Sequence, residues 1–229
     1  MPFTRRRTYR RKRTGFRKKS YRRRNAPSTS IIRYPSAFSD RQVVKLRYME
    51  TVDLTGTTGA VGTQLYRGSS LYAPRYTAGH QPMGFDELSA LYRKYLVYGC
   101  KCKVTFNSTS NNLMQVSLSA KSIDSTSLSV STIAERGYAK TAYIFGGSNN
   151  AHGQKTLKMY QSSKRMAGVK KITAADGEFT AATNASPSNN WYFHLAIGDP
   201  NTSDTVTATC IVELKYYALM YDRILLGQS

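Results

Sequence analysis

The longest run of alternating apolar and polar positions in this chain lies between Val206 and Met220. Every second residue of the run is apolar, and most of the residues between them are polar. This period of two is typical of a β-strand with one face in a core, because successive side chains point to opposite sides of a sheet. At about 3.3 Å per residue, the pattern predicts a strand long enough to cross a domain.

Shorter segments repeat the alternation and are also predicted to be strands. The clear ones are Val44 to Val52, Tyr98 to Phe106, Met114 to Ala120 and Trp191 to Ile197. Weaker patterns indicate two more strands, at residues 155–161 and around Phe179.

Some positions within these segments carry specific expectations. From Tyr98 onward, every second side chain of its segment should face the core, and Lys101 and Lys103 should face water or a polar partner. Glu50 is the one polar residue at an inward position of the first segment.

A helix is predicted from Phe85 to Lys94, where apolar residues recur at intervals of three and four. Asp86 and Glu87 fall in its first turn, where negative side chains stabilise the positive end of the helix dipole. About seven or eight strands with one short helix predict an all-β fold, an antiparallel sandwich of two sheets.

Polar connections rich in turn-forming residues lie between the predicted strands. They include "NSTSNN", "GGSNNAHG", "TNASPSNN" and "GDPNTSD". We expect these loops to share one surface of the domain.

Positive charge is concentrated before the first predicted strand. The formal net charge is +21, and the N-terminal arm (residues 1–33) supplies +14 of it because it holds 14 Lys and Arg and no acid. Self-repulsion and the scarcity of apolar side chains predict that the arm is disordered in isolation. Residues 34–229 carry +7 and have the length and composition of one folded domain.

The compartment and the redox state also follow from the sequence. No run of about 18 apolar residues is present, so membrane insertion is not expected. The N-terminus has no apolar stretch of a signal peptide, and three cysteines build no disulfide framework, which together indicate a reducing compartment. Cys100 and Cys102 are expected to be small buried hydrophobes, because a structural zinc site needs four ligands.

Catalytic chemistry is not predicted. His80, His152 and His194 are the only histidines, and none lies in a motif that pairs a base with a nucleophile. No nucleotide-binding loop, metal motif or cofactor motif is found. We therefore expect a protein that is not an enzyme and needs no cofactor.

The N-terminal arm has the chemistry of a nucleic-acid-binding segment. Arg side chains fork onto phosphate oxygens and stack on bases, and aromatic rings among them can stack on unpaired bases. This favours single-stranded nucleic acid bound with little sequence preference. The predicted nucleic-acid-binding residues are Arg5, Arg6, Arg7, Tyr9, Arg10, Arg11, Lys12, Arg13, Phe16, Arg17, Lys18, Lys19, Tyr21, Arg22, Arg23 and Arg24.

Other uses of the arm compete with this prediction. A nuclear import signal needs only about 5 to 8 basic residues, so import is a second use. A ribosomal or histone-like tail fits the charge but usually accompanies a smaller or more helical domain, and membrane binding would need an apolar face. The residues predicted for nuclear localisation are Arg5, Arg6, Arg7, Arg10, Arg11, Lys12, Arg13, Arg22, Arg23 and Arg24.

Three segments carry a resemblance to a known family. They are "RRRTYRRKR" in the arm, "FDELSALYRKYLVYGCKCKVTF" from Phe85 to Phe106, and "SSKRMAGVK" from Ser162 to Lys170. In these segments, and in the order and length of arm and domain, the chain resembles the capsid proteins of circoviruses and related circular single-stranded DNA viruses.

The resemblance implies a single jelly roll of about eight strands and a T=1 icosahedral shell of sixty copies. It also implies arms that point inward onto a circular single-stranded DNA genome, assembly in the host nucleus by way of the host import machinery, and an unidentified host attachment factor on the path of the virion. The alternative is a cellular nucleic-acid-binding protein with a β-rich domain, which would stay monomeric or dimeric.

Overall fold

Strand pairing organises the chain into two antiparallel sheets. A computed structural model describes residues 39–124, 130–146 and 153–224, which belong to one unit spanning residues 38–229. The strands are β1 (Arg41–Gly56), β2 (Gly62–Arg67), β3 (Tyr92–Ser108), β4 (Met114–Lys121), β5 (Ala139–Ile144), β6 (Gln154–Ser162), β7 (Thr180–Ala182), β8 (Tyr192–Gly198) and β9 (Val206–Arg223). The described part also contains three short helices, α1 (Phe85–Ser89), α2 (Val130–Ala134) and α3 (Ser163–Met166).

The strand order is that of a jelly roll. The first sheet is ordered β1-β9-β3-β6, with β7 paired to β3, and the second sheet is ordered β2-β8-β4-β5. Early strands pair with late ones in nested fashion, β1 with β9, β2 with β8, β3 with β6 and β4 with β5. Such nesting arises when one long antiparallel ribbon winds into two packed sheets. The predicted all-β sandwich and the jelly roll implied by the resemblance are therefore confirmed.

The core lies between the two sheets and follows the predicted alternation. The even-numbered residues of β9 from Val206 to Met220 are at most 1% exposed. The alternating segments on β4 and β8 bury their predicted core residues, and on β1 those residues are buried or partly buried. The weaker prediction at residues 155–161 is confirmed by β6, whereas only the three-residue β7 follows Phe179.

Tyr98 is the wrong prediction on β3. Its side chain is 40% exposed, because the register between β3 and β9 shifts between Val97 and Gly99. A β-bulge places two residues of one strand opposite a single residue of its neighbour, which changes the face that each side chain takes. From Cys100 onward the predicted alternation holds, with Cys100 buried and Lys101 exposed.

The predicted helix from Phe85 to Lys94 is too long. Helix α1 ends at Ser89, and β3 has begun by Tyr92. Tyr95 still packs against Phe85, with ring centroids 5.8 Å apart, but it does so from a strand in which it lies opposite Met220. Aromatic and β-branched residues favour strands, and sheet pairing outweighs the helical spacing here.

Glu50, the polar residue at an inward position of β1, belongs to a polar cluster at the edge of the core. Its carboxylate accepts hydrogen bonds from the Tyr48 hydroxyl at 2.7 Å and the Tyr66 hydroxyl at 3.0 Å. It also forms an ion pair with Arg75, whose Nη1 lies 2.5 Å from a carboxylate oxygen. Burial, and then the Glu50 carboxylate, raise the pKa of both phenols. Three donors therefore satisfy the carboxylate of Glu50, the polar residue that interrupts the apolar pattern of β1.

The polar loops that the structure describes lie at both ends of the sandwich, so the expectation of one shared surface is wrong; most of "GGSNNAHG", residues 147–152, lies outside the described residues. The segment "NSTSNN" meets the start of β9, because the Thr109 amide donates to the Thr207 carbonyl at 3.0 Å. The segment "GDPNTSD" follows the end of β8, whereas "TNASPSNN" precedes its start. Loops at opposite ends of one strand cannot share a surface.

Candidate nucleic-acid interface

The predicted nucleic-acid and nuclear-localisation residues, Arg5 to Arg24, lie outside the described residues. The boundary between the arm and the domain, placed between residues 33 and 34, lies outside them as well. The candidate site among the described residues lies on the folded domain.

A group of six neighbouring basic side chains lies on the outward side of the first sheet. On β1 and β9 the even-numbered residues face the core, so the odd-numbered ones face outward. The same alternation turns the lysines of β3 and β6 outward, because the residues between them are buried. We call these side chains the basic face: Lys45, Arg47, Lys101, Lys103, Lys158 and Lys215.

Three of these cations form a row across neighbouring strands. Arg47 lies opposite Lys215 in the register of β1 with β9, and Lys215 lies opposite Lys101 in the register of β9 with β3. Neighbouring strands are about 4.8 Å apart, so each cation has a like charge as its direct cross-strand neighbour. Opposed like charges destabilise a sheet. The stability of the domain therefore does not account for the row.

Glu213 is the one acid among the described residues of this patch. The Lys103 ammonium donates a hydrogen bond to its carboxylate at 2.5 Å. This hydrogen bond is the largest cause that lowers the pKa of Glu213, and the charges of Arg47 and Lys158 lower it further. A single acid among six bases leaves the surface strongly positive.

A depression of about 340 Å³ borders the basic face at the β6 edge of the first sheet. Its lining includes Lys101, Tyr138, Lys140, Lys158 and Tyr160, and we call it the lysine–tyrosine pocket. Tyr138 is 42% exposed and Tyr160 is 50% exposed. Exposed aromatic rings provide stacking surfaces for unpaired bases, and ammonium groups beside them neutralise the backbone phosphates. The pocket thus combines exposed aromatic rings with ammonium groups.

Gly99 makes room for Tyr160. A Cβ atom on Gly99 would lie 2.7 Å from the Tyr160 hydroxyl oxygen and 2.8 Å from the Gln161 carbonyl oxygen, too close for any other residue. The Tyr160 ring also packs edge to face against Tyr217, with centroids 6.1 Å apart. A glycine at the bulge therefore lets the tyrosine of β6 lie close over β3, at the rim of the pocket.

Sequence reasoning found part of this surface. It predicted that Lys101 and Lys103 face water or a polar partner, and it missed their alignment with Arg47 and Lys215. The signal that was available on β6 is the alternation of Lys158 and Tyr160 with buried residues.

All three cysteines are buried, which confirms the expectation made for Cys100 and Cys102. Burial raises the pKa of each thiol, Cys210 included. No group of three or more His, Cys, Asp or Glu in the described ranges could hold a metal ion. No helix within those ranges is long and apolar enough to cross a membrane.

Comparison with known proteins gives weak structural likenesses. No protein-family model matches the chain, and no curated protein matches it. The chain is similar to solved structures of desmodium yellow mottle tymovirus (TM-score 0.42, 12% identity, 90% of this chain and 100% of that chain covered) and turnip yellow mosaic virus (0.44, 12%, 90% and 93%). It is also similar to a virus-like particle of the giant freshwater prawn Macrobrachium rosenbergii nodavirus (0.41, 10%, 84% and 100%). These values are too low to carry an argument, so the jelly-roll assignment rests on the strand order of the chain itself.

Proposed function

We propose that this protein is a viral capsid subunit that encloses single-stranded DNA by charge. The observation that carries the proposal is a jelly-roll domain preceded, in the same chain, by an acid-free arm with 14 basic residues. Jelly rolls form viral capsids, and also lectins and cupins, but a polycationic arm is useful only where a polyanion must be bound. The proposed role is structural and not catalytic.

The lysine–tyrosine pocket supports a single-stranded partner. Duplex DNA keeps its bases stacked inside the helix, so exposed rings such as those of Tyr138 and Tyr160 would be left unused. Unpaired bases can stack on such rings, at about 1–3 kcal/mol for each base. The basic face and the arm both offer contacts to phosphate, which carry no sequence information.

The finer parts of the proposal rest on the sequence resemblance to circovirus-like capsid proteins. They are a T=1 shell of sixty copies, a circular genome, and assembly in the host nucleus. Sixty arms with 14 Lys and Arg residues each would carry about 840 positive charges into the interior. That charge would neutralise on the order of 10³ phosphates, a suitable amount for a small genome.

Nuclease protection tests enclosure. Full-length protein mixed with circular single-stranded DNA should protect the DNA from nuclease, because enclosed strands are out of reach. Replacing the 13 Lys and Arg residues from Arg5 to Arg24 by Gln should abolish protection. DNA that stays fully digestible while bound to the wild-type protein would contradict a capsid role and favour the cellular nucleic-acid-binding alternative.

Nuclear import is tested separately. A reporter fused to residues 1–33 should concentrate in nuclei, and the same reporter fused to the Gln-substituted arm should not. Cytoplasmic retention of the unchanged fusion would remove nuclear import from the proposal.

A further inference from the structure

The outward side of the second sheet is covered along β4 and β8. All eight residues of β4 and all seven of β8 are buried, on both sides of the sheet. Part of the cover is α2, which packs on β4, β5 and β8 and buries Ile133 completely. Polar side chains on this side of the sheet are therefore withdrawn from water.

Five polar residues come together under this cover, and we call them the buried cationic cluster. Val116 and Leu118 of β4 belong to the core, so the odd-numbered residues of β4 point away from it, towards α2. His194 of β8 lies directly opposite Ser119 in the register of the two strands. The members of the cluster are Ser117, Ser119, Lys121, Arg136 and His194.

The polar side chains of the cluster are withdrawn from solvent at the atoms that would bind a ligand. The Ser117, Ser119 and His194 side chains are fully buried, and Lys121 is 9% exposed. Both serine hydroxyls, Lys121 Nζ, Arg136 Nη1 and both ring nitrogens of His194 find no hydrogen-bond partner among the residues that the structure describes. Unpartnered buried polar groups carry a large free-energy cost, most of all when they are charged.

No carboxylate of the described chain neutralises the cluster. Asp124 lies near enough for its charge to act on Lys121, but it is exposed and accepts a hydrogen bond from the Tyr76 hydroxyl at 2.9 Å. The ion pairs of the described residues do not include Lys121 or Arg136.

The titration of the cluster reflects the same deficit of negative charge. Burial, with a smaller contribution from the charge of Arg136, lowers the pKa of Lys121 to about 8, and the charge of Asp124 acts in the opposite direction. Burial lowers the pKa of His194 to about 3, with smaller contributions from the charges of Lys121 and Arg136. A neutral imidazole beside two cations is the state expected of a buried cationic cluster without an anion.

We propose that the buried cationic cluster is a binding site for a small tetrahedral oxyanion of the phosphate class. Lys121 Nζ and Arg136 Nη1 supply charge-assisted donors, and the hydroxyls of Ser117 and Ser119 with one N–H of His194 supply neutral ones. A phosphate offers several anionic acceptor oxygens to donors that converge from different directions, whereas a chloride ion offers a single centre. The proposal is independent of the capsid role.

Calorimetric titration of the full-length protein with inorganic phosphate tests the proposal. Ionic strength is held constant with chloride. Weak binding of phosphate to the arm is common to all variants, so it cancels when they are compared. Lys121→Met keeps the length of the side chain and removes its charge, and Ser119→Ala removes one hydroxyl. Lys164→Met is the matched control, because it removes one exposed lysine that lies outside both sheets.

Wild type and Lys164→Met should bind phosphate alike, and Lys121→Met should bind it about tenfold or more weakly, in keeping with the loss of a charged hydrogen bond. Ser119→Ala should show a smaller loss. Equal binding by wild type and Lys121→Met, or an equal loss in Lys164→Met, would overturn the site. Thermal unfolding checks that Lys121→Met is folded.

A single-stranded oligonucleotide, added before the titration, identifies the source of the phosphate. If the cluster takes a phosphate of the nucleic-acid backbone, the oligonucleotide should abolish the part of phosphate binding that depends on Lys121. If it takes free phosphate, that part should be unchanged. The difference between wild type and Lys121→Met supports the site in both cases, and its absence without oligonucleotide rejects it.

Discussion

The row of cations on the basic face predicts that removing charge will stabilise the domain and weaken its binding to DNA at the same time. The perturbation is the triple variant Arg47→Gln, Lys101→Gln, Lys215→Gln. It removes two directly opposed like-charge pairs, Arg47 with Lys215 and Lys215 with Lys101. Cross-strand charge pairs contribute about 0.2–1 kcal/mol each, so the free energy of unfolding should rise by roughly 0.4–2 kcal/mol.

Denaturant unfolding measures the first effect. The gain in the free energy of unfolding should shrink in high salt, because exposed charges are screened there. The salt dependence of affinity for a short single-stranded oligonucleotide measures the second. Each phosphate contact on a single strand contributes about −0.7 to the slope of log affinity against log salt, so three lost contacts should flatten the slope by about 2.

A matched triple variant controls for net charge. Lys164, Lys170 and Lys171 are exposed and lie outside the two sheets, so their replacement by Gln removes the same charge without relieving any cross-strand pair. It should leave stability within about 0.5 kcal/mol and the salt slope nearly unchanged. The reasoning is refuted if the two triple variants behave alike, or if the basic-face variant is less stable than wild type.

Three further predictions concern the fold. Phe106→Ala should lower the free energy of unfolding by about 3–5 kcal/mol and abolish soluble protein, because Phe106 is fully buried between the sheets; soluble, stable protein would contradict its place in the core. Glu50→Gln should lower the free energy of unfolding in denaturant by about 2–3 kcal/mol, because Arg75 loses its counterion. The exposed control Glu178→Gln should change it by less than about 0.5 kcal/mol. Equal effects of the two variants would contradict the role of the ion pair. Backbone N–H donors of the β8–β9 turn lower the pKa of the Asp199 carboxyl. This carboxylate therefore stabilises the fold above its unfolded pKa of about 3.9 and loses that effect as the pH falls through the lower folded pKa. Thermal unfolding should show that Asp199→Asn is less stable than wild type at pH 7 and that this difference shrinks in acid. A difference in stability that grows in acid would contradict a lowered pKa of Asp199.

Much of the sheet framework was predictable because one face of each long strand lies in the core. The alternation from Val206 to Met220 gives β9 almost to its ends, since its inward side chains pack on both sheets. Short strands carry too few alternating positions to be recognised, and β2 and β5, with six residues each, were not predicted. The bulge at Tyr98 inserts one residue without any change in composition, so the sequence pattern does not show it.

The candidate sites were less predictable because they depend on which strands become neighbours. Lys101 and Lys215 are far apart in sequence, and only the register of β3 with β9 places them opposite one another. The buried cationic cluster depends on α2, which covers residues that alternation alone would assign to solvent. The sequence pattern therefore does not indicate that His194 belongs to a cluster of polar residues.

The mass of the assembled protein tests the central claim most directly. Full-length protein is mixed with circular single-stranded DNA at low salt, and the particle mass is measured by mass photometry beside electron microscopy of the same sample. Sixty copies of a 25.6-kDa chain predict a uniform shell with about 1.5 MDa of protein, in addition to the DNA. A sample that contains only monomers or dimers, with DNA and without it, would contradict the account of this protein as a capsid subunit.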